Sequence, residues 1–153
     1  MAYTKLQVSD AVSVVPSDTI PIPSGGGVQE SGTAAAPTGA QLVGTGTAFL
    51  TTVKVGFIVH DETNGVIATV TDVVSNTVLT TSAAIAAGAD YTIYSYPETS
   101  GCVLYVGVSG NLRVKMASGK IAVFTAIQAG FLPIQVTQVY STGTTATNIL
   151  ALW

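Results

Sequence analysis

The chain has 153 residues, of which 48% are hydrophobic and 8% carry a charge, with a net charge of −3 and a pI near 4.7. That length suffices for one domain or two small ones, and soluble domains average about 25% charged residues, so the surface is unusually poor in charge. Thr, Ser or Gly interrupts every apolar run well short of the roughly 18 residues that a membrane helix needs, which excludes a helical membrane span. An acidic chain with scattered basic residues does not fit nucleic acid either; these are Lys5, Lys54, Arg113, Lys115 and Lys120.

The first 23 residues are predicted to be extended. Residues 1–8 form an arm with Tyr3, Leu6 and Val8 as apolar anchors. Residues 9–23 contain a short valine-rich strand followed by three prolines. Because proline cannot donate to a β-ladder, this segment is confined to a sheet edge or to an extended crossing.

The composition of residues 24–39 predicts a flexible linker. The segment SGGGVQESGTAAAPTG is built from Gly, Ser, Ala and Pro, with Val28 as its one larger apolar residue. Its glycine run has none of the context of a phosphate-binding loop, which needs a preceding strand, a following helix and a lysine.

Residues 40–96 are predicted to form a small β-barrel. Short apolar runs are separated by turn residues, and Asn64-Gly65 favours the tight turn of a β-hairpin. The last run, residues 91–96, is a tyrosine-rich strand. Several short strands in fewer than about 60 residues are typical of a small barrel.

Residues 100–153 carry the clearest strand pattern. Leu112, Val114 and Met116 alternate with Arg113 and Lys115, which is the period of a half-buried strand. We therefore predict an all-β protein of two small antiparallel units, each sandwich-like or barrel-like. Residues 9–23 and 100–153 form a β-sandwich domain into which the 40–96 barrel is inserted, because insertion at a hairpin tip breaks few contacts.

The sequence predicts no enzyme, no metal site and no cofactor. The single histidine, His60, precedes Asp61 at a strand end, where adjacent side chains point to opposite faces and cannot chelate together. Cys102 is the one cysteine, so an intrachain disulfide is impossible, and its place in an apolar strand favours a buried side chain. The strand holding Tyr91, Tyr94 and Tyr96 could stack sugars, and it could equally pack its rings on a core.

A surface with few charges favours burial against other molecules. Trp153 follows an apolar strand and could dock in its own core or across a subunit boundary, where Trp is favoured. With so little charge, edge strands are free to pair with a neighbour, so we predict self-association as a trimer. The predicted interface residues are Tyr3, Leu6, Val8, Ile20, Ile22, Leu150 and Trp153.

Motifs at both ends of the chain point to one family. Residues 9–19 read SDAVSVVPSDT, residues 104–114 read LYVGVSGNLRV, residues 129–134 read AGFLPI, and residues 142–147 read TGTTAT. This order resembles the head spike base proteins and capsid decoration proteins of tailed phages and gene transfer agents. Residues 24–99 lie between the two matching parts.

The resemblance implies a virion structural protein on the outer capsid surface. Its partners would be the major capsid protein, further copies of itself and, in a vertex position, a fibre protein, with neither nucleic acid nor membrane. The first residues hold no apolar signal-peptide core, so assembly in the host cytoplasm is expected. Three functions stay open: a decoration subunit that stabilises the head, a vertex spike base, and a carbohydrate-binding module of a virion.

Overall fold

The computed structural model describes residues 8–153 and shows an all-β protein, with 50% strand and 5% helix. Its strands form two antiparallel sheets of six strands each, which confirms the predicted fold class. The helix, α1, covers Phe49–Thr52 and is too short to span a membrane, so no described helix could do so. The strands are β1 Ala11–Ser13, β2 Val28–Thr33, β3 Gln41–Val43, β4 Ile58–Asp61, β5 Val66–Val73, β6 Val78–Thr81, β7 Asp90–Tyr94, β8 Cys102–Val108, β9 Gly110–Met116, β10 Ile121–Ile127, β11 Gly130–Val139 and β12 Thr147–Leu152.

The chain divides into two compact units. The described part of unit 1 consists of residues 8–25 and 98–153, and unit 2 is Gly26–Pro97. The sheet of unit 1 has the order β1-β12-β8-β11-β9-β10, and the sheet of unit 2 has the order β2-β7-β4-β5-β6-β3. Each unit has its own core of buried apolar residues.

Strand β11 joins the two halves of the sheet of unit 1. The first part of β11 pairs with β8, its last part pairs with β9, and the register shifts along both pairings. Leu112 and Val114 of β9 are fully buried in the core of unit 1, as their alternation with charged residues predicted.

The segment of residues 9–23 belongs to unit 1. Strand β1 pairs with β12, and beyond it the amide of Ile22 donates to the carbonyl of Thr137 at 3.0 Å. The carboxylate of Asp18 accepts from the amide and the hydroxyl of Thr142, at 3.0 and 2.6 Å. Because proline has no backbone N–H group, residues 16–23 do not form a continuous ladder, and isolated hydrogen bonds of this kind attach them to unit 1.

Unit 2 does not close into the barrel that the sequence predicted. Its sheet is open, with β2 and β3 at its edges. A single isolated bridge, between Ala35 and Val43, joins the segment after β2 to β3. The predicted hairpin is present: β4 and β5 pair antiparallel on either side of the Asn64-Gly65 turn, and Gly65 has a positive φ of 64°. The centre of the sheet is Val59, which is paired with Ala68 and Ile93, all of them fully buried.

The predicted flexible linker of residues 24–39 is wrong. A 3-10 turn covers Gly25–Gly27, and β2 follows as an edge strand paired with all of β7. The side chains of β2 are mostly exposed, so its composition carries no apolar signal. Backbone hydrogen bonds fix the strand regardless of side-chain type, and Gly32 leaves room for the ring of Tyr91 on the neighbouring strand.

Candidate interaction surface

The polar groups around His60 do not converge on one point. His60 is buried in β4, and burial lowers the pKa of its imidazole below 6.5, against the opposing effect of the nearby carboxylates of Glu62 and Asp61. Asp61 instead caps the following turn and accepts the amides of Thr63 and Asn64 at 3.0 and 2.8 Å. Among residues 8–153, no three His, Cys, Asp or Glu side chains are grouped so that they could hold a metal ion.

Cys102 is held inside unit 1. Its thiol donates to the carbonyl of Val136 at 3.3 Å, and burial, helped by the charge of Glu98, raises its pKa to about 12. Because the thiolate is the reactive form, this cysteine is inert near neutral pH.

The tyrosine-rich segment offers one exposed ring. Tyr91 and Tyr94 are 2% and 5% exposed, so their faces are not free for stacking, while Tyr96 is about half exposed. Tyr91 belongs to the core of unit 2, and burial raises the pKa of its hydroxyl. The interpretation of all three rings as a stacking surface is therefore wrong, because two of them are buried.

Of the seven predicted interface residues, two lie outside the described residues, three are partly or half exposed, and two contact the core of unit 1. Tyr3 and Leu6 lie outside the described residues. Val8 is half exposed, and Ile20 and Leu150 are partly buried.

Ile22 lies in the core of unit 1, contrary to the interface prediction, and Trp153 packs against that core and is partly buried. Ile22 is 3% exposed and lies in the core of unit 1. The indole of Trp153 packs against the same core, and its Nε1 donates to Oε2 of Glu98 at 2.6 Å. Oε1 of Glu98 accepts the amides of Ser100 and Gly101, at 2.6 and 2.8 Å. Trp153 therefore takes the first of its two alternatives, docking in its own core.

The outward side of three neighbouring strands of unit 1 carries a row of large apolar side chains. Register places Leu150 of β12 and Phe131 of β11 on either side of Tyr105 of β8. Core residues alternate with them along each strand, so this row, which we call the aromatic row, points away from the core. Phe131 is 69% exposed and Tyr105 is 37% exposed, and their rings meet edge to face with centroids 5.6 Å apart.

The aromatic row was not found from the sequence. Tyr105 and Phe131 are 26 positions apart, and sequence alone does not place β8 beside β11. The available signal was the alternation within each strand, which sets Tyr105 opposite in direction to Leu104 and Val106.

A second outward surface lies on the β9–β10 hairpin, and we call it the hairpin face. Arg113 pairs with Val123 and Lys115 with Ile121, so two cations stand beside two aliphatic side chains. Ile121 and Val123 are 53% and 58% exposed. The guanidinium of Arg113 lies 4.7 Å from the ring centre of Tyr140, which holds this charge in place.

An open depression of about 470 Å³ lies near the end of the hairpin. Its lining offers one hydroxyl, one amide and one thioether, and no side chain that ionises. The lining residues are Met116, Ala117, Ser118, Pro133, Ile134 and Gln135.

Comparison of the chain with protein-family models, with curated proteins and with solved structures found no match.

Proposed function

We propose that this protein is a virion structural protein, a decoration subunit that binds the major capsid protein on the outer surface of a tailed-phage head. The aromatic row of unit 1 is its contact with the shell. The partner comes from the resemblance of residues 9–19 and 104–147 to phage decoration and spike base proteins. The contact comes from the exposure of Phe131 and Tyr105 on a β-sheet.

The aromatic row has the features of a binding hot spot. Aromatic side chains are enriched at the centres of protein interfaces, because they remove a large apolar area from water at a small cost in conformational entropy. Burying the exposed ring of Phe131 in a partner would contribute about 1.5–3 kcal/mol. The rings stand on paired strands, so little further ordering is needed when they bind.

The proposal assigns this protein a purely associative role, with no reaction, no cofactor and neither nucleic acid nor membrane as a partner. The buried carboxylates of Asp61 and Glu98 accept hydrogen bonds from nearby backbone amides, which is a structural role. A subunit of this kind stabilises the head by binding across shell proteins, and further copies of itself can extend the contact.

The test is co-sedimentation with heads assembled from the cognate major capsid protein. We expect Phe131→Ser to weaken binding by at least about tenfold, since burial of its exposed ring contributes about 1.5–3 kcal/mol. Tyr105→Ser should weaken binding less, because only 37% of Tyr105 is exposed before binding. Tyr96→Ser is the matched control, because Tyr96 is a half-exposed aromatic residue of unit 2, outside the aromatic row. This variant should bind heads as tightly as the wild type does. Wild-type protein that fails to sediment with saturating heads would contradict the proposal.

A vertex spike base that anchors a fibre protein is the second candidate, because the motifs in residues 104–114 and 142–147 resemble that group most directly. The two roles differ in copy number. A decoration subunit is present in proportion to the shell protein, whereas a spike base occurs at the vertices alone, and quantitative mass spectrometry of purified virions separates them.

A further inference from the structure

Strand β10 ends the sheet of unit 1, and its first half is a regular edge. The turn before it is closed by a bond from the amide of Met116 to the carbonyl of Lys120, at 2.8 Å. In an antiparallel ladder, hydrogen-bonded pairs alternate with non-bonded pairs. Ala122 and Phe124 therefore bond to β9, while the backbone groups of Ile121 and Val123 point away from it.

Four backbone groups consequently face outward on this edge: the N–H and C=O of Ile121 and of Val123. Within residues 8–153, β10 pairs with β9 and with no strand on its other side. The side chains of the same two residues are more than half exposed. The regular stretch ends after Phe124, where the register shifts and Ala126 has a positive φ of 50°.

We propose that β10 is a self-association edge, which pairs antiparallel with β10 of a second copy about a twofold axis at Ala122. This register sets Ile121 opposite Val123 of the second copy, and the reverse. Each opposing pair exchanges two hydrogen bonds, so four bonds satisfy all the outward groups of both copies. The six-stranded sheet of unit 1 in one copy then joins the same sheet of the second copy into one continuous sheet.

A second copy fits this edge better than a charged partner because the strand is apolar and complementary to itself. Residues 121–127 include no charged residue and no proline, the usual devices that block an edge. Across the pair, the cations of the two hairpin faces lie on strands three spacings apart, about 14 Å, beyond the Debye length of about 8 Å at physiological ionic strength. Lys120, the residue before Ile121, would lie opposite Phe124 of the second copy, about 13 Å along the strand from the second Lys120. Like charges therefore do not oppose the contact.

The contact is small and its affinity is correspondingly modest. Pairing about four residues per copy buries less than the roughly 1,200 Å² of a stable protein interface. The dimer is thus concentration-dependent, and it becomes populated where copies are crowded, as on an assembled surface.

This inference rests on the self-association part of the proposed function and names the surface that carries it. It is tested on purified protein without heads, so its failure is distinguishable from a failure to bind the shell. A twofold edge contact joins two copies, whereas composition alone led us to expect a trimer.

Sedimentation equilibrium from about 5 to about 500 μM covers the range of a weak interface. We expect the wild-type mass to rise from one copy toward two. Val123→Lys places a cation on the edge opposite Ile121 of the second copy and should raise the dissociation constant at least about tenfold. Val55→Lys is the control, because Val55 is a valine of similar exposure, 63%, outside any strand.

Disulfide trapping tests the register. In a non-bonded antiparallel pair the two Cα atoms of residue 122 lie about 4.5 Å apart, within the range that a disulfide spans. Ala122→Cys should form a covalent dimer under mild oxidation much faster than Val55→Cys. The proposal is overturned if the wild type stays a single copy throughout or forms trimers. It is equally overturned if the Val123→Lys variant dimerises as well as the wild type, or if the Ala122→Cys variant dimerises without forming the disulfide.

Discussion

Glu98→Gln is the substitution that most directly tests what holds Trp153 in unit 1. The side chain of Glu98 is 5% exposed, and its two oxygens accept three hydrogen bonds, two from backbone amides and one from Nε1 of Trp153. Glutamine has nearly the same shape but replaces one acceptor oxygen by a donor. Whichever way the amide turns, an N–H group faces an N–H group.

The expected cost follows from these bonds. A hydrogen bond to a charged acceptor contributes about 1.5–3 kcal/mol, and a buried donor left without an acceptor costs about 1–3 kcal/mol. In the better orientation the amide oxygen keeps both backbone amides and the Trp153 bond is lost. We therefore expect the free energy of unfolding of unit 1 to fall by about 2–4 kcal/mol.

The assay uses Trp153 itself, since the chain has one tryptophan and it lies in unit 1. Urea unfolding followed by its fluorescence reports on this unit. With a slope of about 2 kcal/mol per molar urea, the middle of the usual range, the midpoint should drop by about 1–2 M.

Asp10→Asn is the matched control, because it also exchanges a carboxylate for an amide within unit 1. Asp10 is exposed, and one of its oxygens accepts the amide of Ala11 at 2.8 Å, so water can replace that bond. Its midpoint should change by less than about 0.5 M, the effect of an ordinary surface substitution. Equal midpoints for Glu98→Gln and the wild type would refute the role given to the Glu98 carboxylate.

Two further predictions concern buried ionisable groups. Because burial lowers the pKa of His60 below 6.5, the unfolded chain takes up a proton first, and the free energy of unfolding of unit 2 should fall as the pH drops below 6.5, by up to about 1.4 kcal/mol per pH unit. Urea unfolding at pH 7.5 and 5.5 measures this slope, and His60→Gln should flatten it; an unchanged slope in the variant would assign the effect to other groups. Since burial raises the pKa of Cys102 to about 12, a thiol reagent at pH 8 should label the folded protein only as it unfolds, and immediate labelling without urea would contradict this placement.

Alternation was the most informative pattern in the sequence. Leu112 and Val114 were predicted to face a core and are fully buried, while Arg113 between them and Lys115 after them lie on the other face. A strand with one buried face must alternate, because a shift of one residue would expose every apolar side chain. The all-β class followed from patterns of this kind.

Composition gave the wrong prediction for segments whose structure depends on pairing with a neighbouring strand. The segment of residues 24–39 has the composition of a linker, and yet β2 forms six residues of an edge strand there. Similarly, the tyrosines of residues 91–96 were considered as a surface platform, and two of the three are buried. In both cases neighbouring strands decide the outcome: β7 for β2, and β2 and β4 for the tyrosines of β7. A single sequence does not specify those neighbours.

The sequence by itself determined the strand periodicity, the hairpin turns and the scarcity of charge, because each of these depends on residues close together in the chain. Only the tertiary structure decided which strands are neighbours. That choice places Tyr105 beside Phe131, joins Trp153 to Glu98, and leaves β10 at an open edge. Strand order is set by packing and hydrogen bonding summed over the whole of each unit, so it cannot be read from any one segment.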